Sequence, residues 1–436
     1  MEIFSTTTLL IIVCLIFLIL SITRARKHQN KDRLPPGPTP LPFIGNILQL
    51  NGKEVFKSLN KLSEKYGPVY TIHMGMEKVV VLCSYDAVKE ALIDNADDFG
   101  ARGHMPLLDR ISSGGHVVAS NGERWKQLRR FSLMTLRNFG MGKKSIEERI
   151  QEEAHFLTEE FRKTNSQPVD PTFYFSKAVS NVICSVVFGN RFEYEDKCFL
   201  QLLAFFNEIF RGFSSVWGQE KDVPHTEFHK EGILNTTFDL FGAGTETVST
   251  TLRYGLLILL KHADVEECIH KEIDNVIGRN RAPCIEDRSR MPYLEAVIHE
   301  IQRFIDLIPM GIPHKVTRDV HFRGFIIPKD TTVYTMLSSV LRDPKQFKYP
   351  NEFNPGHFLD ENGKFRRNEG YMPFSSGKRI CLGEGLAKME LFLFFSTILQ
   401  NFTLRSPVDP KDLDLTPLMS GFGNIPRPYE LCFIPR

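Results

Sequence analysis

The chain has no Cys-x-x-Cys pair, and its eight cysteines (Cys14, Cys83, Cys184, Cys198, Cys268, Cys284, Cys381 and Cys432) are scattered over 436 residues. That spacing excludes a zinc cluster and a dense disulfide framework, and scattered thiols suit a reducing compartment. Excess charge of one sign is also missing. A formal net charge of +2 gives no argument for a nucleic-acid partner. There is no internal repeat and no low-complexity tract, so neither a solenoid nor a disordered array is expected. Positive charge is absent ahead of the first apolar run, where Glu2 is the one charged side chain. A cleaved signal peptide would want a basic start, so that reading is set aside.

What is present begins at that run. Ile3 to Ile22 is nearly all apolar, and Leu9–Leu20 is unbroken. This is about enough to cross a hydrocarbon core of ~30 Å. Arg24, Arg26, Lys27, Lys31 and Arg33 follow it, and basic flanks stay on the cytosolic side. Residues 1–22 are therefore expected to be a single-pass anchor, with the rest of the chain in the cytosol. Residues 23–42 are basic and then proline-rich, ending in Leu34-Pro35-Pro36-Gly37-Pro38-Thr39-Pro40-Leu41-Pro42. Prolines at that density stop the anchor helix and stiffen the exit. The body runs from 43 to 436.

The body reads as mainly α with small β-sheets. Val69–His73 and Lys78–Cys83 form a predicted hairpin around Met74–Glu77. Helical periodicity marks Glu123–Arg137, Ser145–Lys163, about Thr226–His262 and Tyr293–Ile305, and a last helix from after Gly383 to about Leu399. Phe322–Ile327 and Thr331–Val333 alternate as strands do, joined by Pro328-Lys329-Asp330.

Ahead of the last helix lies Phe374-Ser375-Ser376-Gly377-Lys378-Arg379-Ile380-Cys381-Leu382-Gly383. A cysteine at a helix entrance meets backbone N–H groups and the positive end of the dipole, which lowers a thiol pKa. A thiolate is the ligand a haem iron needs for cleaving an O–O bond. Gly377 and Gly383, lacking a Cβ, would let backbone approach a flat macrocycle. Arg379 could pair with a propionate. A lone cysteine is more often a buried structural residue, and the glycines, phenylalanine and arginine around this one tip the balance. The second unusual stretch, Gly242-Ala243-Gly244-Thr245-Glu246-Thr247, places two glycines inside a helix. Each costs about 1 kcal/mol against alanine. Either a flat ligand or a widened helical turn would account for them; the bland alternative for Thr247 is a bond back to its own helix.

The cysteine loop matches F-x-x-G-x-R-x-C-x-G at every specified position, and the chain resembles the cytochromes P-450. The likeness runs from the proline hinge to the C-terminus and is greatest to microsomal family 2, subfamily C in particular. It implies the cytochrome P-450 fold, haem b (iron protoporphyrin IX) and Cys381 as the axial thiolate. It implies propionate contacts from Arg102, Trp125, Arg129, His314 and Arg379. Ala243, Gly244, Glu246 and Thr247 fit the pattern A/G-G-x-D/E-T, which implies Thr247 beside the dioxygen site and Glu246 in proton delivery. Glu300 and Arg303 match E-x-x-R, whose third partner, in Pro355-Gly356-His357-Phe358, is histidine here rather than arginine. The resemblance also implies monooxygenation of lipophilic substrates (fatty acids such as arachidonate, steroids, xenobiotics). Electrons would come from NADPH through NADPH–cytochrome P-450 reductase, with cytochrome b5 as accessory, at the endoplasmic reticulum membrane. Arg124, Lys126, Arg130, Arg137, Lys143, Lys144, Lys378 and Lys388 would steer an acidic donor. Substrate contacts would lie at Met105–Val118, Phe206, Phe241, Ala243, Ile308–Ile312 and Gly421–Ile425.

One departure stands out. At 219/220 the sequence steps from the family's helix F region to the approach of helix I, omitting on the order of 50–60 residues, far beyond loop variation. Phe206, Phe210, Phe213 and Trp217 form an aromatic stripe that is expected to lose its partner and lie exposed. Three readings follow: an active monooxygenase, a membrane haem protein without productive turnover, or a haem-thiolate isomerase of peroxides. The Glu246–Thr247 pair argues against the third.

Overall fold

The computed structural model describes residues 34–51, 55–103, 117–138, 144–214 and 232–436. The expected anchor, the 219/220 junction and most of the Met105–Val118 loop lie outside them. Among the described residues no helix is long and apolar enough to cross a membrane. The chain divides into two compact units. The first comprises Met1–Met105, Met310–Val340 and Ser376–Arg379; the second comprises Pro106–Pro309, Leu341–Ser375 and Ile380–Arg436.

The first unit is built on a sheet. Strands β1 (Val69–Met74) and β2 (Glu77–Leu82) form the expected hairpin, with Val69 opposite Leu82 and Met74 opposite Glu77. Gly75 takes φ +62° in the turn, a conformation that glycine adopts without strain. β3 (Ala101–Arg102), β4 (His314–Lys315) and β7 (Thr332–Thr335) complete a five-stranded sheet in the order β1-β2-β7-β4-β3. The β-branched residues of β2 and β7 are buried and pair in parallel, Val79 opposite Thr332. Helix α1 (Val55–Tyr66) closes one face through Phe56 and Leu59, and the Tyr70 hydroxyl donates to the Leu59 carbonyl at 2.8 Å. The proline hinge is part of this unit rather than a free linker. Thr71 N–H donates to the Pro36 carbonyl at 2.8 Å, and a Cβ on Gly37 would fall 1.8 Å from the Thr71 carbonyl oxygen.

The expected strand Phe322–Ile327 is instead a hairpin. β5 (Val320–Phe322) turns at Arg323 and Gly324, both at positive φ, and pairs with β6 (Phe325–Ile327). Two positive-φ residues in succession are what a two-residue hairpin turn requires. Thr332 onward joins the larger sheet and not this hairpin.

The second unit is helical: α2 (Gly122–Asn138), α3 (Lys144–Lys163), α4 (Thr172–Val187), α5 (Lys197–Ser214), α6 (Gly232–Lys261), α7 (Ala263–Val276), α8 (Pro292–Ile305) and α9 (Glu384–Asn401). β8 (Phe402–Arg405) pairs with β11 (Cys432–Pro435), and β9 (Met419–Ser420) with β10 (Asn424–Ile425). The second half of α6 is buried on every side, from Leu252 through Leu260, as befits a helix at the centre of a core. The aromatic stripe of α5 is not left bare in its described part. Phe206 packs 4.9 Å from Phe241, and the Phe210 ring stands over Gly423 and 6.5 Å from Phe422. The stripe therefore faces α6 and the β9–β10 turn; the Phe213 and Trp217 side chains lie outside the described residues.

The E-x-x-R pair is buried. Arg303 and Glu300 side chains are both 0% exposed and bond twice, Nε to Oε2 and Nη2 to Oε1, each at 2.7 Å. The remaining guanidinium hydrogens go to the carbonyls of Leu341, Pro350 and Glu352, while Glu300 accepts from Asn354 N–H at 2.8 Å. His357 takes the third place: Nδ1 lies 3.2 Å from both Glu300 carboxylate oxygens, and Nε2 faces the Lys348 carbonyl. Removing one member of such a pair leaves a buried charge without its counter-ion. Arg303→Ala is expected to lower stability by about 3–5 kcal/mol in denaturant unfolding followed by circular dichroism.

Candidate functional site

The cysteine loop is shaped by local bonding. Gly377–Arg379 make a single 3-10 turn, Cys381 N–H donates to the Phe374 carbonyl at 3.0 Å, and α9 starts immediately after Gly383. The Cys381 sulfur is accessible yet recessed, and burial pushes its thiol up from the ordinary value. Hydrogen bonds from the backbone N–H groups of Gly383 and Glu384, and the Arg129 charge, oppose that; the Glu384 carboxylate adds to it. The expected lowering of the thiol is thus overturned on balance, because desolvation of the anion outweighs the helix-entrance donors. Those two N–H groups nonetheless donate to the sulfur as a thiolate acceptor requires, and metal coordination deprotonates a thiol outright. The donor set fits a thiolate-bound metal.

Gly377 meets a demand from within the protein. At φ +70°, its hypothetical Cβ would stand 1.8 Å from the Leu92 carbonyl oxygen, so it is backbone packing that demands glycine there. Gly383 is free of such a demand: the nearest atom to a Cβ would be the Cys381 sulfur at 3.9 Å.

In the second unit, α2 carries Trp125 and Arg129 one turn apart. The guanidinium lies 5.9 Å from the indole centre and donates from Nη2 to the Ile380 carbonyl at 2.8 Å, next to the cysteine. In the first unit, the β3–β4 register sets Arg102 opposite His314. Arg102 Nη1 reaches the Ile312 carbonyl at 3.0 Å and His314 Nε2 at 3.2 Å, while His314 Nδ1 bonds the Phe99 carbonyl at 2.8 Å. Arg379 Nε donates to the Gly100 carbonyl at 2.8 Å. Burial, then the Arg102 and Arg379 charges, lower His314 to about 3, so it is a neutral acceptor. Two buried guanidiniums around one neutral imidazole make a positive pocket wall, suited to an anionic group such as a carboxylate.

On α6, the two glycines are explained by helix packing. A Cβ on Gly242 would come within 2.9 Å of the Phe206 ring, and one on Gly244 within 2.7 Å of Ile183. The helix runs as regular α through this stretch, so the expected widened turn is not found. The Thr247 hydroxyl donates to the Ala243 carbonyl at 2.6 Å, the back-bonded alternative weighed above. Ser180 donates to Thr245 at 3.0 Å. Glu246 is 4% exposed. Burial pushes its carboxyl up to about 7, against the lowering by Arg253, an Asn207 hydrogen bond and Arg211.

Comparison with known proteins gives the family. A model of the cytochrome P450 family matches residues 35–225 and 215–433. The chain is a cytochrome P450. It is 51% identical to cytochrome P450 2C16 of Oryctolagus cuniculus over 96% of this chain and 97% of that protein. It is 50% identical to cytochrome P450 2G1 of the same species, covering all of both chains, and 50% identical to cytochrome P450 2A13 of Homo sapiens over 98% of each. The alignment with 2G1 extends over 495 residues, more than the 436 of this P450, so the relative carries residues with no counterpart here. Family membership makes this an enzyme of the monooxygenase type that binds haem b through a cysteine thiolate.

Of the basic residues expected to steer a donor, Arg124, Arg130, Arg137 and Lys144 are exposed on α2 and at the start of α3. Lys126 pairs with Glu123 at 2.6 Å, Lys388 with Glu384 at 2.6 Å, and Lys378 with Asp97. Lys143 lies outside the described residues. The charged and polar surroundings of Glu246 were not foreseen: Arg253 shares α6 with it, and Asn207 and Arg211 come from α5.

A carboxyl raised to about 7 prefers its proton in the folded state, so its contribution is intact below about pH 4.5 and lost as pH rises to 7. Glu246→Gln is therefore expected to gain stability on the parent between pH 4.5 and 7, by about 3 kcal/mol at most. Urea unfolding at pH 5 and pH 8 measures it; an equal difference at both pH values would contradict it.

Proposed function

We propose that this P450 is a haem-thiolate monooxygenase in which Cys381 is the axial ligand. The observation that carries the assignment is the pair of backbone donors, from Gly383 and Glu384, directed at the Cys381 sulfur where α9 begins. Bound haem supplies the reductive activation of dioxygen and the insertion of one oxygen atom into substrate. Arg102, His314 and Arg379 are assigned to its carboxylates, with Trp125 and Arg129 holding the ring edge and the backbone beside Cys381. Glu246, poised near neutrality, donates and recovers protons, and the Thr247 hydroxyl orients them. Phe206 and Phe241 supply apolar surface suited to lipophilic substrates: fatty acids such as arachidonate, steroids and xenobiotics. Electrons are assigned to NADPH–cytochrome P-450 reductase, with cytochrome b5 as accessory, drawn to the basic face of α2. Residues 1–22 are assigned as the single-pass anchor in the endoplasmic reticulum membrane, with the body cytosolic.

A second reading has its own support. The family match falls into two stretches that meet at 215–225, and the alignments outrun the chain, which supports an internal omission at 219/220. With part of the distal cover gone, water entry would divert electrons to wasteful oxygen reduction. On that reading the chain keeps its haem and turns over poorly.

Two measurements test these. The reduced, carbon monoxide-treated, membrane-extracted protein is expected to show the strongly red-shifted Soret band of a thiolate-bound haem, and Cys381→Ser to lose it. A parent without that band overturns the assignment of Cys381. Product formed with reductase and NADPH at a full-length relative's rate removes the second reading; oxygen consumed without matching product supports it.

A further inference from the structure

We propose that Asn424 is a positioning residue that fastens the β9–β10 turn to the end of α8 and thereby holds Phe422 as one wall of the substrate chamber. The inference rests on the reading of Phe206 and Phe241 as substrate-facing surface and adds the residue that fixes its far side.

The turn has little to hold it by itself. β9 and β10 are two residues each, with Asn424 opposite Ser420 and Ile425 opposite Met419. A pair of strands this short is marginal in isolation. The loop between them, Gly421-Phe422-Gly423, has a glycine on either side of the ring. Asn424, which is buried, supplies what is missing. Its Nδ2 donates to the carbonyls of Ile305 at 3.1 Å and Asp306 at 2.8 Å, and its backbone N–H to the Leu307 carbonyl at 2.8 Å. Its Oδ1 accepts from the Ser420 hydroxyl at 2.7 Å. The partners fix the orientation of the amide, since carbonyls can only accept. The three carbonyls belong to successive residues at the end of α8, where Asp306 follows the last helical residue at φ +48° and helix carbonyls lack intrahelical partners. One residue therefore caps α8 and locks the turn.

The lock reaches the aromatic wall through Gly423. A Cβ there would stand 2.8 Å from the Phe210 ring and 3.3 Å from the Leu307 carbonyl oxygen, so the turn, α5 and the end of α8 meet at one point. Phe422, the preceding residue, meets Phe210 edge to face with ring centres 6.5 Å apart. Phe210 is one turn along α5 from Phe206, on the same face, and Phe206 lies 4.9 Å from Phe241. The apolar surface assigned to substrate thus continues from Phe241 and Phe206 to Phe210 and Phe422. The last two are partly buried, which leaves ring surface accessible to a ligand. Phe241, Phe206 and Phe210 are carried by long helices. Phe422 alone sits on a glycine-flanked turn, so its place depends on Asn424.

The test uses the haem-loaded, full-length chain and two azoles whose binding is read from the Soret band. Imidazole needs only the iron, whereas 4-phenylimidazole carries a ring that also needs the wall. Asn424→Leu is expected to weaken 4-phenylimidazole by about five- to tenfold through lost apolar contact, with imidazole held within about twofold. Ser420→Ala removes one of the four bonds and is expected to weaken 4-phenylimidazole by about threefold; it carries the test if Asn424→Leu retains no haem. Phe422→Ala is expected to match Asn424→Leu, and the double variant to bind no more weakly than Phe422→Ala, because both changes remove the same wall. Three results would overturn the proposal: equal weakening of both azoles, unchanged 4-phenylimidazole binding in Asn424→Leu and Ser420→Ala, or additive losses in the double variant. Failure of the underlying reading looks different. In that case the azole ratios move as expected, yet arachidonate neither shifts the Soret band of the parent nor yields product with reductase and NADPH.

Discussion

The buried pair of Arg303 and Glu300 organises the part of the second unit that has least regular structure. One guanidinium collects the carbonyls of Leu341, Pro350 and Glu352, and one carboxylate collects the Asn354 amide and His357. Those groups lie on the 341–358 segment, which is mostly turn and has no sheet to satisfy its backbone. Without the pair they would be buried polar groups lacking partners, each costly to leave so. Such a pair is poor evidence for stability in itself, because both charges gave up water to form it. Its value lies in specification, since few other arrangements of the segment satisfy five backbone and side-chain groups at once.

The same logic of satisfaction governs the electrostatics elsewhere. His314 is neutral because burial and two guanidiniums oppose its charge, and a neutral ring can accept from Arg102. Burial pushes the Glu246 carboxyl up to about 7, with Arg253 and its polar neighbours offsetting only part of that push. Cys381 shows the same balance, with burial exceeding the help of two backbone donors. In each case desolvation is the largest influence, and neighbours decide how far it is cancelled.

Glycine carries a lesson about ligand-directed readings. Gly377, Gly242 and Gly244 lie in or beside the motifs that identify the family, and each was first read as making room for a cofactor or a distorted helix. The structure gives each a protein neighbour instead: the Leu92 carbonyl, the Phe206 ring and the Ile183 side chain. Close approach holds at all three, and protein groups alone are enough to require glycine there. Likewise the α5 stripe does want a partner, and in Phe206 and Phe210 it has one in α6 and the β9–β10 turn.

The sequence by itself determined the family, through a cysteine loop whose every specified position is filled, and with it the haem, the thiolate and the reaction type. It also placed α2, α3, α8, α9 and the first hairpin to within a residue or two, and the C-terminal end of α6, because their periodicity is local and one-dimensional. It misjudged Phe322–Ile327, where two successive residues at positive φ turned a strand into a hairpin, and it was silent on α4, whose almost wholly buried face has little contrast to read. Tertiary structure alone decided which arginines meet which histidine, which carbonyls Arg303 gathers, and which side chains surround Glu246. Those outcomes depend on the register between elements far apart in the chain, and register is set by the fit of side-chain volumes and hydrogen bonds in three dimensions, which no local pattern encodes.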